Sequence, residues 1–291
     1  MKYGTHYGYW GDNLNALSYV DSVKRAKKVG LDILEIGADH LEVMSDEEIK
    51  EIRDIAEELG ITITTNSGPA QDQDLASADP AIRANGVKFL TNVMRNMKKI
   101  GSDTFVGAIY SYWPCQFLDL DKEAAWERSI AGMKEVAKVA KELDILICLE
   151  VLNRYETFIL TDCKEALKYC EQVGSDNVVL LLDTFYMNIE ENNIAEAIRL
   201  AGNKLGHLHV GESNRKLPGM GSLPWREIGR ALRDIGYDRY VVMEPFMKTG
   251  GGIGEAIKVW RDLSNDADED KMDQYIADAL VFLKHEFTFE K

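Results

Sequence analysis

Cysteine, proline and histidine are scarce in this chain, which has four, six and five of them among its 291 residues. The cysteines include no Cys-x-x-Cys pair and stand at Cys115, Cys148, Cys163 and Cys170. Their number and spacing argue against both a disulfide framework and a zinc ribbon. No stretch approaches the roughly 18 continuous apolar residues of a membrane span, and the first residues lack the apolar core of a signal peptide. We therefore expect free, buried thiols in a cytoplasmic protein that does not enter a membrane.

Positive charge is also in short supply. Lysine and arginine total 34 against 49 acidic residues, which gives a formal net charge of −15. Nucleic-acid binding relies on neutralising phosphates, and anionic membranes attract basic segments, so we expect neither partner. The hydrophobic fraction of 45% lies in the range of globular proteins. A chain of this length buries about three quarters of its unfolded surface and can fold without disulfide or metal support.

Short β-branched runs alternate with longer runs of helical period along the whole chain. Strands are predicted near residues 3–9, 31–37, 61–66, 104–110, 145–152, 178–184, 205–211 and 240–246. Helices precede the glycines that act as stop signals, namely Gly30, Gly60, Gly101, Gly174 and Gly236. Eight such alternations predict an α/β fold, a (β/α)₈ TIM barrel, as one domain over residues 1–291. A doubly wound open sheet is the alternative, although the turn at residues 8–11 lacks the Gly-rich nucleotide motif typical of that fold.

Two kinds of residue mark predicted helix starts. Ser45 and Glu48 have the spacing of a capping box, in which each side chain bonds the backbone N–H of the other residue. Pro80 and Pro224 each precede a run of helical period. Because proline is tolerated at the first position of a helix, we expect both to begin helices.

Acidic residues and a histidine stand at the carboxyl ends of four consecutive predicted strands. Glu150, Asp183 and Glu244 end the fifth, sixth and eighth strands, and His209 lies near the end of the seventh. Active sites of (β/α)₈ barrels lie at this end, and buried charges there are costly unless paired or bound to a metal. Separate buried ion pairs are the alternative interpretation. Three carboxylates and one imidazole favour Mn²⁺, Mg²⁺ or Co²⁺ over structural zinc. His207 should point inward one layer deeper, as a core or supporting histidine.

Three loops on the same side carry polar or glycine-rich sequence. The loop after the fifth strand places Glu156 above the site, and the loop after the seventh contains Arg215. Arginine there can donate to a carbonyl or hydroxyl oxygen, but composition alone fits a solvated loop equally well. The run at residues 250–254 follows the eighth strand, where barrels often bind phosphate. It indicates either a phosphorylated substrate or a flexible lid.

Motifs along nearly the whole chain closely resemble those of the ketose 3-epimerase family, which comprises D-tagatose 3-epimerases and D-psicose (D-allulose) 3-epimerases. The matching segments are Ser111–Pro114, Glu150–Arg154, Leu182–Phe185, Gly206–His209, Gly211–Arg215, Pro224–Ile228, Val242–Phe246 and Lys258–Asp262. The resemblance implies an isomerase that epimerises free ketohexoses at C3. It also implies a divalent metal, with Mn²⁺ first and Co²⁺ or Mg²⁺ as alternatives, and a homodimer or homotetramer.

The resemblance also assigns site residues by position. The metal ligands fall on Glu150, Asp183, His209 and Glu244, the same four residues that the strand ends indicate. Glu150 and Glu244 would in addition be the catalytic acid and base. The substrate-binding positions fall on His6, Trp113, Glu156, Tyr186, Arg215 and Phe246.

Three positions depart from the family pattern. Tyr186 stands where the family usually has a histidine that is expected to bind the sugar near the reacting carbons. A tyrosine side chain can still donate a hydrogen bond, but it is longer than a histidine side chain and does not become charged near neutral pH. His6 replaces the usual tyrosine of the first strand and should face the far end of the sugar, and residues 65–69 differ from the common Gly-x-Gly-Pro. These changes leave the metal ligands and the two acids intact, and they bear on the choice of substrate.

The expected chemistry is removal of the C3 proton and its return to the opposite face, through an enediolate, with one glutamate serving each face. One alternative is a related metal-dependent sugar isomerase or dehydratase that acts on a different ketose or keto-sugar. Another is a nuclease of the apurinic endonuclease type, which would need further histidine ligands and a basic face for DNA. A sugar-binding protein without catalytic activity is the third.

Overall fold

Eight parallel strands form a closed barrel in which each strand pairs with its neighbours in chain order and the first pairs with the last. The computed structural model describes residues 1–10, 18–116 and 120–288, leaving aside the side chains of 251–253. The strands are β1 (Lys2–His6), β2 (Ile33–Gly37), β3 (Thr62–Asn66), β4 (Thr104–Gly107), β5 (Leu146–Val151), β6 (Val178–Asp183), β7 (Leu205–Val210) and β8 (Tyr240–Met243). This topology confirms the predicted (β/α)₈ barrel and excludes the open sheet. Residue 11, in the turn that lacks the nucleotide motif, lies outside the described residues.

The α-helices cover the outside of the barrel. Within the described residues they are α1 (Tyr19–Lys28), α2 (Asp46–Leu59), α3 (Pro80–Ile100), α4 (Lys122–Glu142), α5 (Cys163–Val173), α6 (Thr184–Glu190), α7 (Ile194–Ala201), α8 (Trp225–Asp234), α9 (Gly251–Ala256) and α10 (Glu269–Thr288). Short 3₁₀ helices span Tyr7–Tyr9, Asp39–Glu42, Gln71–Gln73 and Gly202–Lys204. None of the described helices is both long and apolar enough to cross a membrane.

The local signals in the sequence produce most of the helix ends. All five predicted stop glycines have φ between 65° and 85°, which a side chain would disfavour. The capping box of Ser45 and Glu48 begins α2, and Pro80 is the first residue of α3. The prediction for Pro224 was wrong, because the Trp225 N–H bonds the Leu223 carbonyl at 2.9 Å and so closes a turn around the proline. With ψ at 65°, Pro224 precedes α8 instead of starting it.

The interior of the barrel changes from apolar to polar toward the carboxyl ends of the strands. Val106, Cys148, Val179 and Leu181 form an apolar cluster separate from the main core between barrel and helices. Because side chains two apart on a strand share a face, Cys148 points to the same side as Glu150. All four cysteines are buried and unpaired, as expected. The apolar cluster therefore lies directly beneath the acidic residues inside the barrel.

Candidate active site

The four predicted metal ligands come together at the carboxyl end of the barrel. Single ligand atoms of Glu150, Asp183, His209 and Glu244 all lie within 4.8 Å of one another. Strand register explains the convergence, since Asp183 pairs with His209 across β6 and β7, and Glu244 directly follows the pairing of β7 with β8. Residues that are far apart in the sequence are thus brought to one level by the closed sheet.

The donor set fits a divalent cation. Asp183 is buried, and its Oδ2 atom has no hydrogen-bond partner among the described residues. Burial raises the pKa of Glu150 to about 8 and that of Asp183 to about 6, and Glu244, a third acid, adds to both shifts. Buried carboxylates this close together need a positive charge between them, and three carboxylates with one imidazole suit a hard cation. The orphaned oxygen of Asp183 is the clearest sign of where that cation would bind.

His209 is held from behind by an acid that the sequence analysis did not select. Its Nδ1 atom faces the acidic cluster, 3.2 Å from Glu150 Oε1 and 3.6 Å from Glu244 Oε1. Its Nε2 atom lies 2.9 Å from Oε1 of Glu35, a residue of β2. Burial would lower the pKa of His209, but Glu35 and the two site glutamates outweigh it and hold the pKa well above its usual value. Glu35 therefore fixes the orientation of the imidazole that faces the metal position.

Glu35 is itself fully buried, and both of its carboxylate oxygens have partners. Thr64 Oγ1 donates to its Oε2 at 3.0 Å, and His207 Nε2 lies 3.2 Å from the same oxygen. Burial alone would raise the pKa of Glu35, but the two histidines reverse this and keep it well below its usual range. The signal in the sequence was a single glutamate within the largely apolar run of residues 31–36. The inward position predicted for His207 is observed, and its Nε2 atom lies within ion-pair distance of this glutamate, although neither ring nitrogen makes a well-aligned hydrogen bond within the described residues.

A cavity of about 220 Å³ opens above the acidic cluster. Glu150 and Glu244 line its floor. Four of the six predicted substrate-binding residues also line it, namely His6, Trp113, Tyr186 and Phe246. The wall formed by the ends of β2 and β3 contains Asp39, His40, Asn66 and Ser67.

The other two predicted substrate-binding residues, Glu156 and Arg215, lie one layer behind the cavity wall. Glu156 Oε2 accepts hydrogen bonds from Trp113 Nε1 at 2.9 Å and from the Tyr186 hydroxyl at 3.1 Å. Its Oε1 accepts from Asn153 Nδ2 at 3.2 Å and from Arg215 Nη2 at 3.3 Å. Glu156 thus holds the indole and the phenol that face the cavity, in addition to any contact of its own with substrate.

Comparisons with known proteins agree with this architecture. The family model described as xylose isomerase-like TIM barrel matches residues 23–263. The D-psicose 3-epimerase of Ruminiclostridium cellulolyticum is 47% identical over 286 residues, which cover 98% of this chain and 97% of that one. The D-psicose 3-epimerase of Agrobacterium fabrum is 45% identical over 283 residues, with 97% and 98% covered. The chain belongs to the ketose 3-epimerases. It is therefore an enzyme of the isomerase class.

Solved structures extend the similarity of this ketose 3-epimerase to three dimensions. The crystal structure of D-psicose 3-epimerase with D-tagatose from Clostridium cellulolyticum H10 has a TM-score of 0.96 at 46% identity, with 99% of both chains covered. A D-psicose 3-epimerase crystallised in the presence of D-fructose has a TM-score of 0.97 at 44% identity, covering 99% of this chain and all of the other. The fold of the chain is thus that of the family.

Two of the residues that depart from the family pattern, His6 and Tyr186, line the cavity of this ketose 3-epimerase. His6 Nδ1 accepts from the Gly8 N–H at 3.1 Å, so the proton of the neutral ring resides on Nε2. Burial lowers the pKa of His6 and raises that of Tyr186 well above its usual value, which keeps both side chains neutral. His6 therefore has its donor at Nε2, whereas the hydroxyl proton of Tyr186 is already donated to Glu156.

Arg215 occupies a strained turn that directs its guanidinium under the cavity wall. Its φ is 63°, and its N–H bonds the Glu212 carbonyl at 2.9 Å. The guanidinium carbon lies 3.6 Å from the centre of the Phe185 ring, and the Nε and Nη1 atoms have no partner among the described residues. Two buried donors in a charged group are costly to leave unsatisfied.

Proposed function

We propose that this chain catalyses the metal-dependent epimerisation of free ketoses at C3, of the D-psicose/D-fructose and D-tagatose/D-sorbose type. The observation that carries the proposal is the placement of Glu150 and Glu244. Their side chains enter one cavity from β5 and from the end of β8, strands that are not neighbours in the barrel. Two carboxylates that approach from different strands can serve the two faces of one carbon atom. The names of the relatives support the same reaction.

The residues suited to hold the cation are Glu150, Asp183, His209 and Glu244, with Mn²⁺ as the proposed ion and Co²⁺ or Mg²⁺ as alternatives. A divalent cation there supplies Lewis acidity, which polarises the carbonyl and the adjacent hydroxyl and makes the C3 proton more acidic. One glutamate then removes that proton as a general base. The other returns a proton to the opposite face of the enediolate as a general acid. The reverse reaction exchanges the two roles.

Further side chains would orient the sugar. Tyr186 lines the cavity wall as a neutral phenol whose one proton is donated to Glu156, so its oxygen can still accept a hydrogen bond from a sugar hydroxyl. Trp113 and Phe246 offer apolar ring surfaces to the carbon chain. Arg215 contributes the positive charge behind that wall, where it can donate to an oxygen near the reacting carbons.

The cavity favours a free sugar over a sugar phosphate. None of the described residues that line it is a lysine or an arginine, whereas Asp39, Glu150 and Glu244 are acidic. A phosphate group would therefore meet negative charge at the walls. The glycine-rich run after β8 overlaps a short helix, α9. Ile257, the residue directly after that helix, lines the cavity with an apolar side chain.

Two further properties are part of the proposal. The assembly is a homodimer or homotetramer, as the resemblance to the family implies. The compartment is the cytoplasm, which the four unpaired cysteines support because thiols stay reduced there.

The test is hydrogen exchange at C3. The Mn²⁺-loaded protein is incubated with D-fructose, D-psicose, D-tagatose and L-ribulose in D₂O and followed by proton NMR. We expect the C3–H signal to disappear while the C3 epimer appears. Exchange at C1 would instead indicate an aldose–ketose isomerase. Absence of exchange with all four sugars, with the metal content verified, would contradict the proposal.

Variants test the assigned roles. Glu150→Gln and Glu244→Gln should each abolish turnover, because neither amide can accept and return the proton. Glu123→Gln on the exposed first turn of α4 is the matched control and should retain full activity. Metal content is measured for each variant, so that loss of the ion is distinguished from loss of the base. Substantial activity in both site variants would refute the mechanism.

A further inference from the structure

We propose that His40 is a specificity-determining residue that donates a hydrogen bond to a hydroxyl group at C5 or C6 of an unphosphorylated ketohexose. The proposal rests on the function proposed above, because it takes the reacting carbons to lie between Glu150 and Glu244. It concerns the opposite end of the sugar. His40 takes no part in holding the metal or in the proposed proton transfer.

The closed barrel separates two halves of the cavity. The acidic cluster comes from β5 to β8, and the network around Glu156 comes from the loops that follow β5, β6 and β7, with Trp113 added from the loop after β4. The wall that contains His40 comes from β2, β3 and the residues just after them. A ketohexose whose C2 and C3 lie at the acidic cluster must extend its remaining carbons somewhere within the same cavity. The β2–β3 wall is the polar surface across from the metal position.

Most polar groups of this wall already have partners within the protein. Ser67 Oγ donates to Asp39 Oδ1 at 2.5 Å, and Asn66 Nδ2 donates to Glu35 Oε1 at 3.4 Å. His40 differs, since only its Nδ1 atom is bonded and its Nε2 atom has no partner in the part of the chain that the structure describes. The imidazole lines the cavity with one nitrogen still to be satisfied.

The protonation state of His40 is set by its neighbour Tyr19. The Tyr19 hydroxyl accepts a hydrogen bond from the Gly37 N–H at 3.1 Å and also contacts His40 Nδ1. Among the described residues, His40 Nδ1 is the one acceptor that the Tyr19 hydroxyl contacts, so the hydroxyl directs its own proton there. The proton of the imidazole must then reside on Nε2. Burial lowers the pKa of His40, which is consistent with a neutral ring that donates from Nε2.

The backbone is shaped to permit this arrangement. A Cβ atom at Gly37 would lie 3.2 Å from both Cε1 and Nδ1 of His40, and 3.3 Å from the Tyr19 hydroxyl. The His40 ring stacks on Tyr19 with centroids 5.8 Å apart and meets the edge of Tyr7 at 5.8 Å. The His40 imidazole is thus held at the cavity by three features: the space left by Gly37, the Tyr19 hydroxyl, and ring contacts with Tyr19 and Tyr7. A side chain that merely covered the surface would not need such support.

The chemistry of the wall identifies the acceptor as a hydroxyl group. Asp39 stands beside His40, and its carboxylate would repel a phosphate or a carboxylate on the ligand. A sugar hydroxyl can accept from His40 and at the same time donate to a nearby oxygen, whereas a deoxy carbon can do neither. Loss of one such hydrogen bond corresponds to about a three- to tenfold change in kcat/KM.

The experiment compares a ketohexose with its 5-deoxy and 6-deoxy analogues, using the Mn²⁺-loaded full-length protein. The measured quantity is the ratio of kcat/KM for the parent sugar to that for each analogue. His40→Phe keeps an aromatic ring of similar size but removes the donor. We expect it to lower the ratio about three- to tenfold for the analogue that lacks the bonded hydroxyl. His285→Phe, near the end of α10, is the matched control and should leave both ratios unchanged.

A second variant protects the test against a folding defect. Tyr19→Phe removes only the hydroxyl that fixes the His40 tautomer, and it should lower the same ratio by a smaller factor. Ratios equal to those of the wild type in both active variants would overturn the proposal while leaving the epimerase function standing. If the metal-loaded wild type turns over no ketose at all, the epimerase function has failed, and this inference fails with it.

Discussion

Replacing Glu35 by glutamine tests whether the acid behind His209 sets the affinity of the metal site. Glutamine has nearly the same size, so the barrel should fold, but the charge that faces His209 Nε2 at 2.9 Å is lost. A carboxylate in this position orients the ring and increases its basicity toward a metal at Nδ1. Loss of such a partner typically costs about ten- to hundredfold in metal affinity. We therefore expect the Kd for Mn²⁺ to rise by that factor, about 1.4 to 2.7 kcal/mol.

The assay is titration of the metal-free protein with Mn²⁺, followed calorimetrically or by the EPR signal of the free ion. Activity at saturating Mn²⁺ should largely recover, because Glu35 does not contact the reacting carbons. Thr64→Val removes the 3.0 Å hydrogen bond to Glu35 but leaves its charge, so its effect should be smaller. Glu48→Gln in the exposed capping box is the matched control. A Kd for the folded Glu35→Gln variant within twofold of the wild type would refute the reasoning.

Three further predictions concern the whole molecule. Chelation of the metal should abolish turnover and lower the melting temperature, since the clustered carboxylates lose their counter-ion. Re-addition of Mn²⁺ at 100 times its Kd should raise the free energy of unfolding by about 2.7 kcal/mol, which scanning fluorimetry would detect as an increase in the melting temperature. Gly229→Ala should destabilise the fold by about 1 to 3 kcal/mol in urea titrations, because the new methyl group would lie 2.4 Å from the Glu286 carbonyl oxygen of α10. An unchanged free energy of unfolding would contradict this close packing. Asp273→Asn breaks ion pairs of 2.6 and 2.9 Å with two cations of α1 and should also destabilise the fold. Burial opposes ionisation of Asp273, but the two cations outweigh burial and lower the pKa of the carboxyl group. The ionised Asp273 therefore stabilises the fold near neutral pH, and this stabilisation fades on acidification. The wild type and the Asn variant should have similar free energies of unfolding at low pH.

The fold was predictable because its signals are local. Alternating strand and helix periods, stop glycines such as Gly60 and the capping box at Ser45 each act within a few residues. The cluster of four candidate ligands was predictable for a related reason, since a charge at the end of a buried strand is costly unless a metal or an ion pair compensates it. Pro224 shows the limit of such rules, because a hydrogen bond between the residues on either side of it moved the helix start by one position.

The supporting residues were not predictable, because their roles depend on partners far away in the chain. Glu35 lies 174 residues from His209, and nothing in its own segment indicates which imidazole it holds. Glu156 was expected to contact substrate, yet its two oxygens accept bonds from four other side chains of the protein. Sequence position indicates the loop, and only the folded chain determines the direction of each oxygen.

The pairing of β1 with β8 has a consequence for how the enzyme matures. Thr5 Oγ1 bonds the Met243 carbonyl across 238 residues, and Glu244 follows directly. The barrel cannot close before its last strand has been synthesised, and until then the cluster lacks Glu244, one of the four residues proposed to hold the metal. Tight binding of a metal at the proposed site would therefore report that the barrel has closed. Such long-range closure is also the slow part of folding a parallel sheet. In a refolding experiment, the appearance of high-affinity Mn²⁺ binding would time that final event directly.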